Sequence, residues 1–250
     1  MLIDTHCHIH EADYPLDIEE VLKRAHNNGI TKIICVGTNT QDSINAINFA
    51  SNHDGVYAAA GIHPHYASGG MEDLEFIINS HRQSIVAIGE IGLDYHYDNS
   101  SHEDQIKLLK AQIELALKYD LPIIFHVREA FDDFWPIFDN FIGIRGVLHS
   151  FTDTPENAKK ALERGLYIGV NGYSTFTKNE TEKNMFKSLP IEKLVLETDA
   201  PFLTPEPFRG KVNESAFAKV IAEYHSSIRQ ISFDQVADTT SANANKLFKF

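Results

Sequence analysis

Leu121-Pro122-Ile123-Ile124-Phe125-His126 is a short apolar run that stops on a histidine, with no polar side chain inside it. A strand with one wet face alternates apolar and polar residues, whereas a continuous run suits a strand buried on both faces of a parallel sheet. Ile30-Thr31-Lys32-Ile33-Ile34-Cys35-Val36 reads the same way over its second half. Outward from these two, similar runs begin near Leu2, Val56, Ile85, Gly143, Leu166 and Lys193. The mean step is about 27 residues, the size of one strand-helix unit. Helical patterns fill the gaps. Ile106, Leu109, Ile113 and Leu117 are predicted to share one buried helix face. Thr154 and Pro155 open another helix as N-cap and first-turn proline, and Gly165 is placed to close it. Ser232 and Gln235 form a capping box for a last helix running toward Phe248. Eight such units predict an α/β fold, a single (β/α)8 TIM-type barrel domain over residues 1–250. An open doubly wound sheet is the alternative, and it normally uses fewer strands.

Composition narrows the class. A chain of 250 residues, 43% hydrophobic and 23% charged, can bury a substantial core, which excludes disordered and fibrous proteins. No apolar run reaches the roughly 18 residues that span a bilayer, so no membrane association is expected. Met1-Leu2-Ile3-Asp4 is not a basic stretch followed by an apolar one, so no secretory signal is read there. Cys7 and Cys35 are too few for a disulfide framework, and a reducing cytoplasm is the expected location. The net charge of −13 argues against a broad basic face coating nucleic acid. It leaves room for an enzyme that neutralises phosphate locally with bound metal.

The polar residues that end the apolar runs carry the chemistry. Three H-x-H pairs occur (His6/His8, His8/His10 and His63/His65), where 13 histidines in 250 positions would give about 0.7 by chance. His6 and His8 end the first strand, and strand alternation projects both to one side while Cys7 points away. Alone they read equally well as metal ligands or as hydrogen-bonded core histidines. Glu90, His126, His149 and Asp199 lie at the ends of the fourth, fifth, sixth and eighth runs. In a barrel that is the C-terminal rim, where active sites form. Buried carboxylates and imidazoles are costly unless paired or metal-bound, so six of them in equivalent positions point to metal. Imidazoles mixed with carboxylates suit Zn, Mn, Fe, Ni or Mg, and a shared carboxylate suits a two-metal hydrolase.

The segments Asp4-Thr5-His6-Cys7-His8, Gly61-Ile62-His63-Pro64-His65, Gly89-Glu90-Ile91-Gly92-Leu93-Asp94-Tyr95, Phe125-His126-Val127-Arg128-Glu129-Ala130, His149-Ser150-Phe151 and Glu197-Thr198-Asp199-Ala200-Pro201-Phe202-Leu203 resemble, in that order, the TatD family of metal-dependent deoxyribonucleases. Arg209-Gly210-Lys211 and Asn243-Ala244-Asn245-Lys246-Leu247-Phe248 fit the same family, so the resemblance covers essentially the whole chain. It implies an amidohydrolase-like barrel with two divalent ions. One would be held by His6, His8, Glu90 and Asp199, and the other by Glu90, His126 and His149, with Glu90 bridging. Asp199 would also orient or deprotonate the attacking water, and the implied activity is 3′→5′ exonuclease action on DNA. The family commonly continues Arg-Gly-Lys with Arg-Asn-Glu-Pro, whereas this chain reads Val212-Asn213-Glu214-Ser215, one positive charge fewer.

Other residues have two readings. His63 and His65 follow the third strand, either as substrate-phosphate contacts or as loop histidines bonded to backbone. Asp94 either caps the next helix or orients a ligand, and Glu197 buttresses a ligand two residues before Asp199. Arg128 either clamps a phosphate or pairs with Glu129 or Asp132. Arg209 and Lys211, on a Pro- and Gly-rich loop, are either a phosphate site or solvated surface. Tyr95 and Phe202 either stack on bases or pack at the rim. The expected partner is DNA, single-stranded or at frayed ends, with no protein partner implied. The alternative is hydrolysis of another ester, lactone or amide on the same binuclear site, because fold and metal do not fix substrate. A non-catalytic metal protein would need neither the rim position nor the sixth ligand group.

Overall fold

The computed structural model describes residues 1–69, 71 and 73–250. Along the chain run β1 (Leu2–Cys7), α1 (Ile18–Asn27), β2 (Ile30–Val36), α2 (Thr40–Asn52), β3 (Val56–Ala60), α3 (Leu74–Ser80), β4 (Ile85–Asp94), α4 (His102–Lys118) and β5 (Ile123–Arg128). There follow α5 (Phe131–Phe138), β6 (Gly146–Leu148), α6 (Pro155–Glu163), β7 (Tyr167–Val170), α7 (Tyr173–Phe176), α8 (Glu180–Ser188), β8 (Leu194–Leu196), α9 (Ala218–Arg229) and α10 (Phe233–Phe248). Each apolar run has become a strand. Strand order in the sheet is chain order, β1 to β8, the topology of the (β/α)8 TIM-type class. Among the described residues no helix is long and apolar enough to cross a membrane. The chain divides into two compact units, Met1–Ile34 with Ser150–Lys249 and Cys35–His149 with Phe250.

In the first unit β7 and β8 pair in parallel, Ile168 opposite Leu194 and Val170 opposite Leu196. Beyond β8 the chain continues beside the end of β1. Cys7 bridges to Ala200, Asp199 donates its backbone N–H to the His6 carbonyl (2.9 Å), and His8 donates to the Ala200 carbonyl (2.7 Å). Buried Asp4 fastens this seam by accepting from the Thr198 backbone N–H (2.9 Å) and hydroxyl (2.7 Å). Burial pushes the Asp4 carboxyl up to about 7, with the hydrogen bonds from Thr198 pulling the other way. The helix signals hold. Thr154 accepts from the Asn157 N–H ahead of Pro155, and Gly165 adopts φ +81° just past α6. Ser232 caps α10 by accepting from the Gln235 N–H.

In the second unit β3, β4, β5 and β6 pair in parallel in that order. Gly92 lies opposite His126, and a Cβ there would sit 1.7 Å from the His126 carbonyl oxygen. The buried face of α4 differs from the one expected. Leu109 and Ile113 are buried, but Leu117 is exposed and Ile106 only partly covered, while Gln105 and Gln112 are inside. The reason is that α4 packs on strand ends whose backbone needs partners. Gln105 accepts from the Asp94 N–H (2.8 Å) and donates to the Asp94 carbonyl (3.0 Å). Gln112 does the same for Ile62, at 2.8 and 3.0 Å.

Two expectations follow. Gly92→Ala should force β4 away from β5 and lower the unfolding free energy by about 2–3 kcal/mol in urea titrations, the scale of overpacking. A wild-type midpoint would contradict this approach of backbone to backbone. The second concerns His225 on α9, whose ring is buried with Nε2 3.2 Å from the Ser174 hydroxyl. That hydroxyl donates to the Asn171 carbonyl (2.8 Å), so it accepts from His225 Nε2–H. Burial, with the Arg229 charge adding to it, brings the imidazole down to about 3. A folded pKa below the unfolded one gives stability that is complete above about 6.5 and lost as pH falls toward 3. Between pH 7 and pH 5 this amounts to about 2 kcal/mol. Urea titrations at the two pH values should lose that component in His225→Gln.

Candidate metal centre

The first unit gathers three ligand-type side chains. Strand alternation brings His6 and His8 to one side, Nε2 to Nε2 at 3.1 Å, while Cys7 turns away and donates its thiol to the Ile34 carbonyl. Asp199 Oδ1 lies 3.7 Å from each of the two Nε2 atoms. Asp199 adopts φ +58°, a left-handed conformation that Asp tolerates better than most residues. Its N–H is held by the His6 carbonyl and its carbonyl by the Phe202 N–H (2.8 Å). Two imidazole nitrogens and a carboxylate oxygen facing one another are a donor set for a divalent cation. Glu197 stands apart from them, fully buried, with Oε1 accepting from the Ser150 N–H (2.6 Å) and the Asn171 side chain (3.3 Å).

The second unit is built around Glu90. Its Oε1 is 2.8 Å from His126 Nδ1 and 2.8 Å from His149 Nε2, with His63 Nε2 at 3.7 Å. Ligand atoms of His63, Glu90 and His126 all lie within 4.8 Å of one another. Burial opposes the Glu90 charge, but His149, His63 and His126 outweigh it and hold the carboxyl well below its ordinary range. Asp94 ends β4 behind His126, with Oδ2 accepting from His126 Nε2 (3.0 Å) and His65 Nε2 (3.1 Å). Its Oδ1 accepts from the backbone N–H groups of His96 (2.9 Å) and Tyr97 (3.3 Å). Burial raises the Asp94 carboxyl, yet the bond and charge of His126 and the His96 N–H win and hold it below the usual carboxylate range. For His126 burial lowers the pKa, but Asp94 and Glu90 together raise it. Ser101, not Asp94, caps α4.

The candidate substrate cations share one feature: each rests on an aromatic ring. In the second unit Arg128 lies 5.1 Å above the Tyr97 ring, and Glu129 pairs with His96 at 2.7 Å rather than with Arg128. In the first unit Arg209 lies 3.9 Å over Phe176 and donates to the Thr204 carbonyl (2.8 Å), and Lys211 lies 5.2 Å from the Phe208 ring centre. None of the three pairs with a carboxylate among the described residues. Phe202 is exposed, 6.5 Å from the His8 ring, whereas Tyr95 stacks on His102 at 3.5 Å and donates its hydroxyl to Asp133. Tyr97, Gln105, Gln112 and Asn171 are contact residues with no role legible in the sequence reading above. The two glutamines had a signal, standing seven residues apart among Leu108, Leu109 and Ile113.

Comparison with known proteins places this geometry. The family model described as TatD related DNase matches residues 3–249. The metal-dependent hydrolase YabD of Bacillus subtilis is 37% identical, over 100% of this chain and 99% of its own. The 3′-5′ ssDNA/RNA exonuclease TatD of Pantoea ananatis is 31% identical, over 99% of each. The crystal structure of YjjV, a TatD homologue from Escherichia coli, superposes with a TM-score of 0.93 at 31% identity, covering 100% of this chain and 98% of that one. The chain therefore belongs to the TatD-related DNase family of metal-dependent hydrolases.

Proposed function

We propose that the protein removes nucleotides from 3′ ends of single-stranded or frayed DNA, with His6, His8, Glu90, His126, His149 and Asp199 holding two divalent ions and Glu90 serving both. The observation that carries this reading is the donor set itself. Imidazole nitrogens and carboxylate oxygens face one another within 3.7 Å at strand ends, in each unit, with hard and borderline character suited to Zn, Mn, Fe, Ni or Mg. Bound ions supply Lewis-acid polarisation of a phosphoryl oxygen and a water acidic enough to attack it. The chain's own contribution is to orient and to accept a proton. Asp199, partly exposed and held rigidly at its backbone, is the base that takes the proton of the attacking water. Glu197 holds the Ser150 backbone N–H and the Asn171 side-chain amide, and Arg128, Arg209 and Lys211 meet the phosphates of the strand. The TatD exonuclease of Pantoea ananatis carries the same activity in its name, at 31% identity.

Metal-reconstituted protein given 5′-labelled single-stranded oligonucleotides should yield a ladder shortening from the 3′ end, with circular single strands left intact. Glu90→Gln should abolish the ladder and lower the metal content found by elemental analysis. Internal cuts in the circle, or a dead wild-type enzyme that opens a lactone or amide instead, would overturn the assignment. His6→Ala and His8→Ala should each lower turnover by orders of magnitude, while Cys7→Ser should chiefly alter stability, because only the histidines share a face. Binding of single-stranded DNA by Asp199→Asn should be only weakly salt-dependent. Three phosphate contacts at about −0.7 each give a log–log slope near −2. A much steeper slope would point to a cationic track that a chain of net charge −13 does not supply.

A further inference from the structure

His63 has the position of a metal ligand, with Nε2 close to Glu90 and His126, but its hydrogen bonds give it a different task. The backbone N–H of His65 points at His63 Nδ1 from 3.1 Å. A backbone N–H can only donate, so Nδ1 presents its lone pair. The proton of the neutral ring then sits on Nε2, and a protonated nitrogen cannot ligate a cation. His126 shows the opposite arrangement. Its Nε2–H is given to Asp94 at 3.0 Å, which leaves Nδ1 turned toward Glu90 as the ligating nitrogen.

The His63 Nε2–H is not consumed. Its nearest carboxylate oxygen, Glu90 Oε1, is 3.7 Å away, beyond hydrogen-bond reach, and no other acceptor meets it among the described residues. His65 cannot take its place, because His65 Nε2 is spent on Asp94 and its ring stands edge-on to Tyr97. We propose that His63 donates from Nε2 to a non-bridging oxygen of the substrate's phosphoryl group and is not a metal ligand, while His65 acts through its backbone N–H to fix the His63 tautomer. This rests on the phosphodiester reading above for the identity of the oxygen, and on the hydrogen-bond pattern alone for the tautomer.

The test uses the metal-loaded full-length chain with inorganic phosphate as the probe. Glutamine can accept the His65 N–H through its carbonyl and still donate through its amide, whereas leucine can do neither. His63→Leu should keep the wild-type metal content by elemental analysis and bind phosphate about 10- to 100-fold more weakly by calorimetry, the range for one hydrogen bond to a charged group. His63→Gln should return to within about tenfold of wild type, and it remains informative if the leucine variant folds poorly. Long-range 15N–1H spectra of histidine-labelled wild type should show the His63 proton on Nε2. Loss of metal in either variant, a proton on Nδ1, or phosphate bound equally by wild type and His63→Leu would each overturn the proposal. Failure of the wild type on oligonucleotides with these results intact would refute the nuclease reading and leave the donor role of His63 standing.

Discussion

Glu90 and Asp94 put two carboxylates four residues apart on one strand where water scarcely reaches, and the second unit is arranged to meet that demand. An isolated buried carboxylate would take up a proton rather than bear its charge. Here both stay charged because imidazoles surround them. Asp94 fills both oxygens, one with two histidine rings and the other with two backbone N–H groups. Because its Oδ2 takes the His126 Nε2 proton, the other face of that ring turns to Glu90. The chain of control extends further back. Gln105 on α4 pins the Asp94 backbone through both its N–H and its carbonyl, so a helix residue holds the carboxylate that orients the His126 ring. The close approach at Gly92, opposite His126, completes the fit between β4 and β5.

The same logic decides what could be read from the sequence. Strand position was legible because a strand buried on both faces leaves a continuous apolar run, and His6/Cys7/His8 was legible because the pleat admits one answer. What could not be read depended on contacts between distant segments. Asp94 offered two local roles, and only the arrival of His126 and His65 at its Oδ2, with Ser101 taking the cap of α4, separates them. Arg128 stood next to Glu129 in the chain, but Glu129 is drawn to His96, and Arg128 settles on Tyr97 instead. The buried face of α4 departs from its apolar period for a related reason. Apolar periodicity predicts what packs on a side-chain surface, whereas this helix packs on strand ends whose amides call for glutamine.

A chain with 35 acidic and 22 basic residues has more than enough carboxylates to neutralise every cation it carries. That Arg128, Arg209 and Lys211 escape this needs a cause, and the aromatic rings beneath them supply one. An aromatic face holds a cation in place by its quadrupole at about 0.5–1 kcal/mol without offering it a hydrogen-bond acceptor. The cation is thereby ordered but its N–H groups stay available, in contrast to Lys118 on Glu75 or Arg145 on Asp120, where a carboxylate takes them. Stacking also lowers the entropic cost of later fixing a long side chain against a phosphate. In a chain of net charge −13, whose overall field repels polyanions, cations left without a carboxylate partner are local exceptions to that field. Under the nuclease reading proposed above, recognition on these terms favours a short segment of substrate over a long track of duplex.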